Sequence, residues 1–187
     1  MIVTKNRSIQ DIETLIYKGF RLFGENRVQE AKQKYEELLS HENLELHMIG
    51  PLQTNKAKIA LKIFDTIQSI DRYSLVDEIS KIISKNTCRT KKFYIQVNIG
   101  DENQKSGVPV KDLNDLYEYS IKKKLHIFGL MCIPPNTQDP SIYFEQMKKI
   151  RDIVNKNLKL SMGMSNDYKI ALKNNSDIIR VGSLIFS

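Results

Sequence analysis

Short, nearly continuous apolar runs alternate along this chain with longer segments whose apolar positions recur at helical spacing. The runs predict strands at 2–4, 20–23, 44–49, 66–70, 92–99, 126–133, 158–164 and 177–186. Between them the pattern predicts seven helices. The first starts behind Ser8, a good N-cap, with apolar residues at 9, 12, 15 and 16, and stops at Gly19. The others are expected at about 27–39, 55–64, 73–84, 110–123, 141–157 and 166–174. Strict alternation of strand and helix implies a parallel sheet with helical crossovers. Eight such repeats close a (β/α)8 barrel of the TIM type, here as a single domain over 1–187. An open doubly wound sheet is the alternative, but no GxGxxG follows the first strand and no Walker A sequence is present.

Composition narrows the class without naming a function. The chain has 187 residues, 41% hydrophobic and 27% charged, ordinary globular usage with room for one sizeable domain. No apolar run is long enough to span a bilayer, and MIVTKNRS lacks the apolar core of a signal peptide. Cys88 and Cys132 form no disulfide framework or CxxC pair, which fits a reduced cytoplasmic setting. The net charge of +7 invites a nucleic-acid reading. Its 22 lysines and 7 arginines are scattered, however, and scattered lysines on helix faces are typically solvated surface. No specific nucleic acid is expected.

In such a barrel, chemistry belongs where strands end, on the C-terminal rim. Those positions are Lys5, Asn26, Gly50, Asp71, Asn98, Pro134, Ser165 and Gly182-Ser183. Lys5 follows a short apolar strand, and partial desolvation at a barrel mouth would free its amine to attack a carbonyl. The alternative is a surface lysine near a frayed terminus. The seventh strand runs into Gly163-Met164-Ser165, where Ser165 stands as a helix N-cap. Its hydroxyl and the free N–H groups of Asn166 and Asp167 would suit an anion. The eighth strand brings Gly182, which permits close backbone approach, and Ser183, a further donor. An ordinary cap and an ordinary tight turn remain alternatives for each loop alone. A strand-end lysine with two phosphate-type loops describes pyridoxal phosphate, an aldehyde for the lysine and a phosphate for the loops.

The residues also carry a family resemblance. Thr4-Lys5, the FGEN-x-VQE run at 23–30, HMIG at 47–50 with Leu52-Gln53 and Asn55-Lys56, Gly129-Leu130-Met131, LSMGMS at 160–165 with Asp167, and Arg180-Val181-Gly182 with Ile185-Phe186 stand in family order. Together they resemble the pyridoxal phosphate homeostasis proteins, single-domain relatives of the alanine racemase barrel. The resemblance implies a protein of intracellular vitamin B6 homeostasis that holds pyridoxal 5'-phosphate as a Schiff base on Lys5. It implies Asn26 and Met48 beside the cofactor, and Ser165, Gly182 and Ser183 on its phosphate. Arg180 matches an arginine near the pyridine nitrogen. An arginine can only donate, so it disfavours protonation of that nitrogen.

Plainer roles are expected elsewhere. His47 reads as a structural histidine, Cys132 as core, and Asp71 as the cap of the helix after it. His41 and His126 have no ligand-spaced neighbours, so no metal is expected. Glu25 and Glu30 show no carboxylate partner for glycosidase chemistry. Alanine racemase takes its second base from a further domain that would begin beyond Ser187, so the expectation is a carrier without established turnover, not an enzyme. Apo-enzymes that receive the cofactor are the implied partners. A cofactor-independent Schiff-base lyase on a phosphorylated carbonyl and a basic nucleic-acid module are the rivals. The chain is expected to lack the family's N-terminal helix and its final C-terminal helix. Uncovered barrel wall would then favour a partner subunit or low stability, leaving monomer or homodimer open.

Overall fold

Alternating apolar patterning sets the order of the elements, and a side-chain cap fixes the start of the first helix. In the computed structural model, which describes residues 1–40, 43–136 and 139–186, the chain opens with strand β1 (Ile2–Val3) and helix α1 (Ile9–Tyr17). Ser8 caps α1 through a reciprocal capping box, its hydroxyl accepting the Asp11 N–H while the Asp11 carboxylate accepts the Ser8 N–H. Then follow β2 (Leu22–Glu25), α2 (Val28–Tyr35), β3 (Glu45–Met48), α3 (Ala57–Ile63), β4 (Thr66–Ile70), α4 (Tyr73–Ile83) and β5 (Lys92–Asn98). The second half adds the two-residue β6 (Val108–Pro109), α5 (Leu113–Lys122), β7 (Ile127–Cys132), α6 (Ser141–Asn155), β8 (Lys159–Met164), α7 (Tyr168–Lys173), β9 (Ile178–Arg180) and α8 (Ser183–Phe186).

All pairings are parallel, in the order β1-β2-β3-β4-β5-β7-β8-β9, with β6 attached beside β5. The sheet returns on itself between its ends. The Val3 N–H donates to the Val181 carbonyl at 2.8 Å and the Val181 N–H to the Met1 carbonyl at 3.1 Å. This is the eight-stranded barrel that the alternation implies, with its crossover helices outside.

Three expectations are corrected. Residues 177–186 do not form one strand: β9 stops at Arg180, and Ser183–Phe186 make a single helical turn. The apolar residues 184–186 suit either period, and the Ile185 N–H closes back onto the Gly182 carbonyl at 2.9 Å. The same turn means that a C-terminal helix is begun after β9, where none was expected. Asp71 does not cap α4. The N-cap is Arg72, and the Asp71 carboxylate instead accepts from the Arg72 guanidinium at 2.6 Å. His41 lies outside the described residues.

Strand alternation sorts side chains between the barrel lumen and the layer against the helices. The Ser161 hydroxyl of β8 donates to Gln68 Oε1 of β4 at 2.6 Å, a bond between non-adjacent strands that crosses the lumen. Gln68 Nε2 meets His47 Nδ1 at 2.7 Å, and His47 Nε2 meets Glu45 at 3.0 Å. His47 is therefore a buried, fully partnered structural histidine of the lumen. Its strand neighbours Leu46 and Met48 face the helices and belong to the main hydrophobic cluster with Phe23, Tyr35, Ile67, Ile95 and Leu130.

Candidate functional site

The rim at the strand C-termini opens into a cavity of about 620 Å³. Six of the seven residues singled out from the sequence line it: Lys5, Asn26, Ser165, Arg180, Gly182 and Ser183. Met48 does not. Lumen-facing His47 precedes it, so alternation turns Met48 outward, where it lines a neighbouring depression with Asn26, Val28 and Lys56.

Lys5 sits in a tight turn just past β1. The Arg7 N–H donates to the Thr4 carbonyl at 3.1 Å, and Asn6 takes a left-handed φ of 59°. A positive φ at the third residue is what a type II turn requires, and asparagine tolerates it better than most residues. The Lys5 side chain is exposed, so its amine is reachable from solvent; the desolvation expected from its strand-end position is not present.

The opposite side of the cavity is built from backbone and hydroxyls. Ser165 is not the cap of α7. A turn closes from the Asp167 N–H to the Met164 carbonyl (3.1 Å), and Asp167 becomes the N-cap, its Oδ1 accepting the Met164 N–H at 2.5 Å. The Asp167 amide is thus occupied, contrary to expectation, and the serine is left facing the cavity. The Gly182 N–H approaches Ser165 Oγ at 3.5 Å, tying the two loops together. A methyl group on Gly182 would stand 3.2 Å from the Val3 carbonyl, so glycine lets β1 and the β9 loop close up at this point. Ser183 opens the single turn α8 next to Gly182, and both line the cavity.

Arg180 is the one deeply buried cation of the site, 4% exposed. Its Nη1 donates to the Ser161 carbonyl (2.7 Å) and hydroxyl (2.9 Å), and its Nη2 to the Cys132 carbonyl (2.7 Å). Among the described residues no carboxylate pairs with it. Burial pulls its pKa below the usual arginine range, opposed by the nearby Cys132 and Asp167. Burial likewise pushes the Cys132 thiol up to about 12, which makes it an inert core residue. On the other flank, Asn26 Oδ1 is buried with no hydrogen-bond partner, and Gly50 is indispensable beside it: a Cβ there would lie 2.1 Å from the Asn26 carbonyl.

An aldehyde-bearing, phosphorylated aromatic group fits these residues. The amine is exposed, a buried guanidinium lacks an anion, Asn26 Oδ1 lacks a partner, and two hydroxyls share one wall. Sequence reasoning missed Ser161 and Gln68, which hold Arg180 from within the lumen. The available signal was a polar residue within each apolar strand run. It also missed what Glu25 and Glu30 do. Both accept from the same Lys34 ammonium, at 3.0 and 2.5 Å, on the helix side of the wall.

Comparison with known proteins agrees with the fold. Residues 3–187 match the family model of the alanine racemase N-terminal domain. The pyridoxal phosphate homeostasis protein of Aquifex aeolicus is 40% identical over 177 residues, covering 90% of this chain and 77% of that protein. The structure of PipY from Synechococcus elongatus PCC7942, solved with PLP bound, superposes with a TM-score of 0.88 at 32% identity, covering 100% of this chain and 91% of that one. Alanine racemase from Bartonella henselae, at 16% identity and TM-score 0.75, shares the fold over 96% of this chain and 50% of its own. The chain belongs to the alanine racemase N-terminal-domain family and, within it, to the pyridoxal phosphate homeostasis proteins. These relatives are named for homeostasis rather than for a reaction, although the fold also serves enzymes. No helix among the described residues is long and apolar enough to cross a membrane.

Proposed function

We propose that this chain binds pyridoxal 5'-phosphate, with the Lys5 amine joined to the cofactor aldehyde as a Schiff base, and acts in vitamin B6 homeostasis without turnover of its own. The observation that carries the reading is the convergence of an exposed lysine, an unpaired buried guanidinium and an orphan Asn26 oxygen on one cavity. When bound, the cofactor supplies a carbonyl and a conjugated ring. Ser165, Gly182 and Ser183 hold its phosphate by hydroxyl and backbone donors. Arg180, fixed by three hydrogen bonds to protein oxygens, turns its remaining donors to the cavity. A donor-only group there keeps the ring nitrogen unprotonated and weakens the ring as an electron sink, which favours storage over chemistry.

Two further features support a carrier. Among the described residues the only acid on the cavity wall is Asp167, and its Oδ1 is taken up by the Met164 N–H. General acid–base work needs a free group within reach of the proton it moves. The exposed Lys5 leaves the attachment point open to approach, so apo-enzymes that take the cofactor are its proposed recipients. We assign the whole of 1–187 to one binding domain, in a monomer or homodimer, with the cytoplasm as its place of action.

The test is spectroscopic. Protein loaded with pyridoxal phosphate should show the visible band of a protein-bound Schiff base, lost on borohydride reduction with a mass increase on the peptide containing Lys5. Lys5→Ala should abolish the band and leave the melting temperature nearly unchanged, because the side chain is exposed. No band in loaded wild type would sink the proposal.

A further inference from the structure

The layer behind the barrel wall holds the peptide groups on both sides of Lys5. Alternation turns Val3 and Lys5 toward the lumen side and Thr4 outward, against α2. There Thr4 is fully buried. Its hydroxyl donates to Glu25 Oε1 at 2.7 Å and accepts from the Tyr35 hydroxyl at 2.8 Å. Lys34, on α2, donates to the Thr4 carbonyl at 2.7 Å. One helical turn earlier, Glu30 Oε1 accepts the Asn6 N–H at 2.6 Å. Lys34 and Glu30 also bond each other at 2.5 Å, at the i,i+4 spacing that makes helix-surface neighbours.

The carbonyl just before Lys5 and the amide just after it are therefore gripped by one ion pair on one helix. Fully buried Glu25 supplies the ammonium with a second carboxylate at 3.0 Å. The Lys5 backbone is fixed from behind while its side chain stays free in front. None of the gripping groups lines the cavity.

We propose that Glu30 and Lys34 are positioning residues for Lys5: the pair clamps the Thr4–Arg7 turn so that the lysine amine is aimed into the cavity before any aldehyde arrives. Attachment then needs no ordering of the turn, and that pre-organisation appears as tighter covalent capture. The consequence for capture rests on the proposed role of Lys5; the clamp on the turn does not.

Two measurements on the full chain separate the two ideas. The first uses no cofactor. Amide hydrogen exchange at Asn6 should be slow in wild type and at least about tenfold faster in Glu30→Ala and Lys34→Met, with Lys34→Arg close to wild type because it retains the donor. Unchanged exchange in folded variants, judged by their melting curves, overturns the clamp whatever the cofactor does. Glu30→Gln serves as the milder variant should Glu30→Ala fail to fold, since its amide oxygen still accepts from Asn6 while the ion pair is lost; intermediate exchange is expected. The second measurement titrates pyridoxal phosphate by visible absorbance. Half-saturation should rise about tenfold in Lys34→Met and recover in Lys34→Arg. In a Lys5→Ala background, equilibrium dialysis of pyridoxal phosphate should give the same retention with and without Lys34→Met. An equal loss in that background would mean that the pair shapes the cavity generally, and the positioning role falls. No band in wild type rejects the Schiff-base reading alone, and the exchange result still decides the clamp.

Discussion

The barrel has two unlike sides. Along β4, β5 and β7 the strands are long and covered. All five residues of β4 and five of the seven in β5 are buried, and β5 meets β7 through a continuous register from Tyr94↔Gly129 to Val97↔Cys132. Where β1 meets β9 the strands have two and three residues, a single bridge joins Ile2 to Val181, and Ile178 and Ile179 are only half-buried. Yet Lys5, Arg180, Gly182 and Ser183 all come from this thin seam. The wall supplies burial, whereas the seam supplies position, from short strands whose ends are fixed by side-chain bonds rather than by a long ladder. Stability and binding should therefore be separable by substitution.

The largest effect on folding should come from the wall. Leu130→Ala removes a fully buried side chain from the main cluster and should cost about 3 kcal/mol, a fall of roughly 6–12 °C in melting temperature. Pyridoxal phosphate stoichiometry per folded molecule should not change. If capture fell in parallel with stability, the separation of wall and seam would be wrong. A seam substitution should do the reverse. Gly182→Ala places a methyl 3.2 Å from the Val3 carbonyl and 3.4 Å from its Cβ, so the strands must part by a few tenths of an ångström. The expected cost is below about 1 kcal/mol in stability. The expected rise in half-saturation for pyridoxal phosphate is about tenfold. Calorimetry and absorbance titration read the two effects on one sample, and a variant that lost stability but not affinity would reverse the assignment.

The sequence was most legible where local rules act alone. The run 66–70 is the strand Thr66–Ile70, and Ser8 is the cap that its spacing implied. Five cavity-lining residues, Lys5, Asn26, Ser165, Gly182 and Ser183, were legible because a strand-end position in a barrel is set by the count of repeats, whereas Arg180 was pointed to by the family resemblance. What failed was whatever alternation and tertiary partners decide. Met48, which the family resemblance puts beside the cofactor, faces the helices, and only the His47–Gln68 bond shows which face is lumen. Ser165 reads as a cap until the Met164–Asp167 turn moves that role two residues on. Residues 184–186 read as strand because a short apolar run fits either period. Glu25 and Glu30 show no carboxylate partner in the sequence, and the lysine they share joins Glu25 to the i,i+4 pair only when α2 packs behind β1 and β2.

That shared lysine sets up the smallest and sharpest difference, which lies within the seam itself. Burial raises the Glu25 carboxyl above its ordinary range, and the bonds from Thr4 and Lys34 oppose this without cancelling it. Burial also raises Glu30, but there the bonds from Lys34 and the Asn6 amide prevail, and the net shift is downward. The signs for stability are opposite. Between its ordinary and raised values Glu25 keeps in the native state a proton that the unfolded chain has released, so its contribution is full below the ordinary value and is lost as pH rises through the raised one. Glu30 contributes above its ordinary value and loses that contribution as pH falls through the lowered one. Melting temperatures from about pH 2 to about pH 8 should separate the two, since the Glu30 limb lies below the ordinary glutamate value and the Glu25 limb above it. Glu25→Gln, a permanent mimic of the protonated form, should lessen the loss of stability on the alkaline side. Glu30→Gln should lessen the loss on the acid side. If both variants flattened the same limb, the two carboxylates would be acting as one site, and the buried brace and the clamp on Lys5 would have to be merged into a single element.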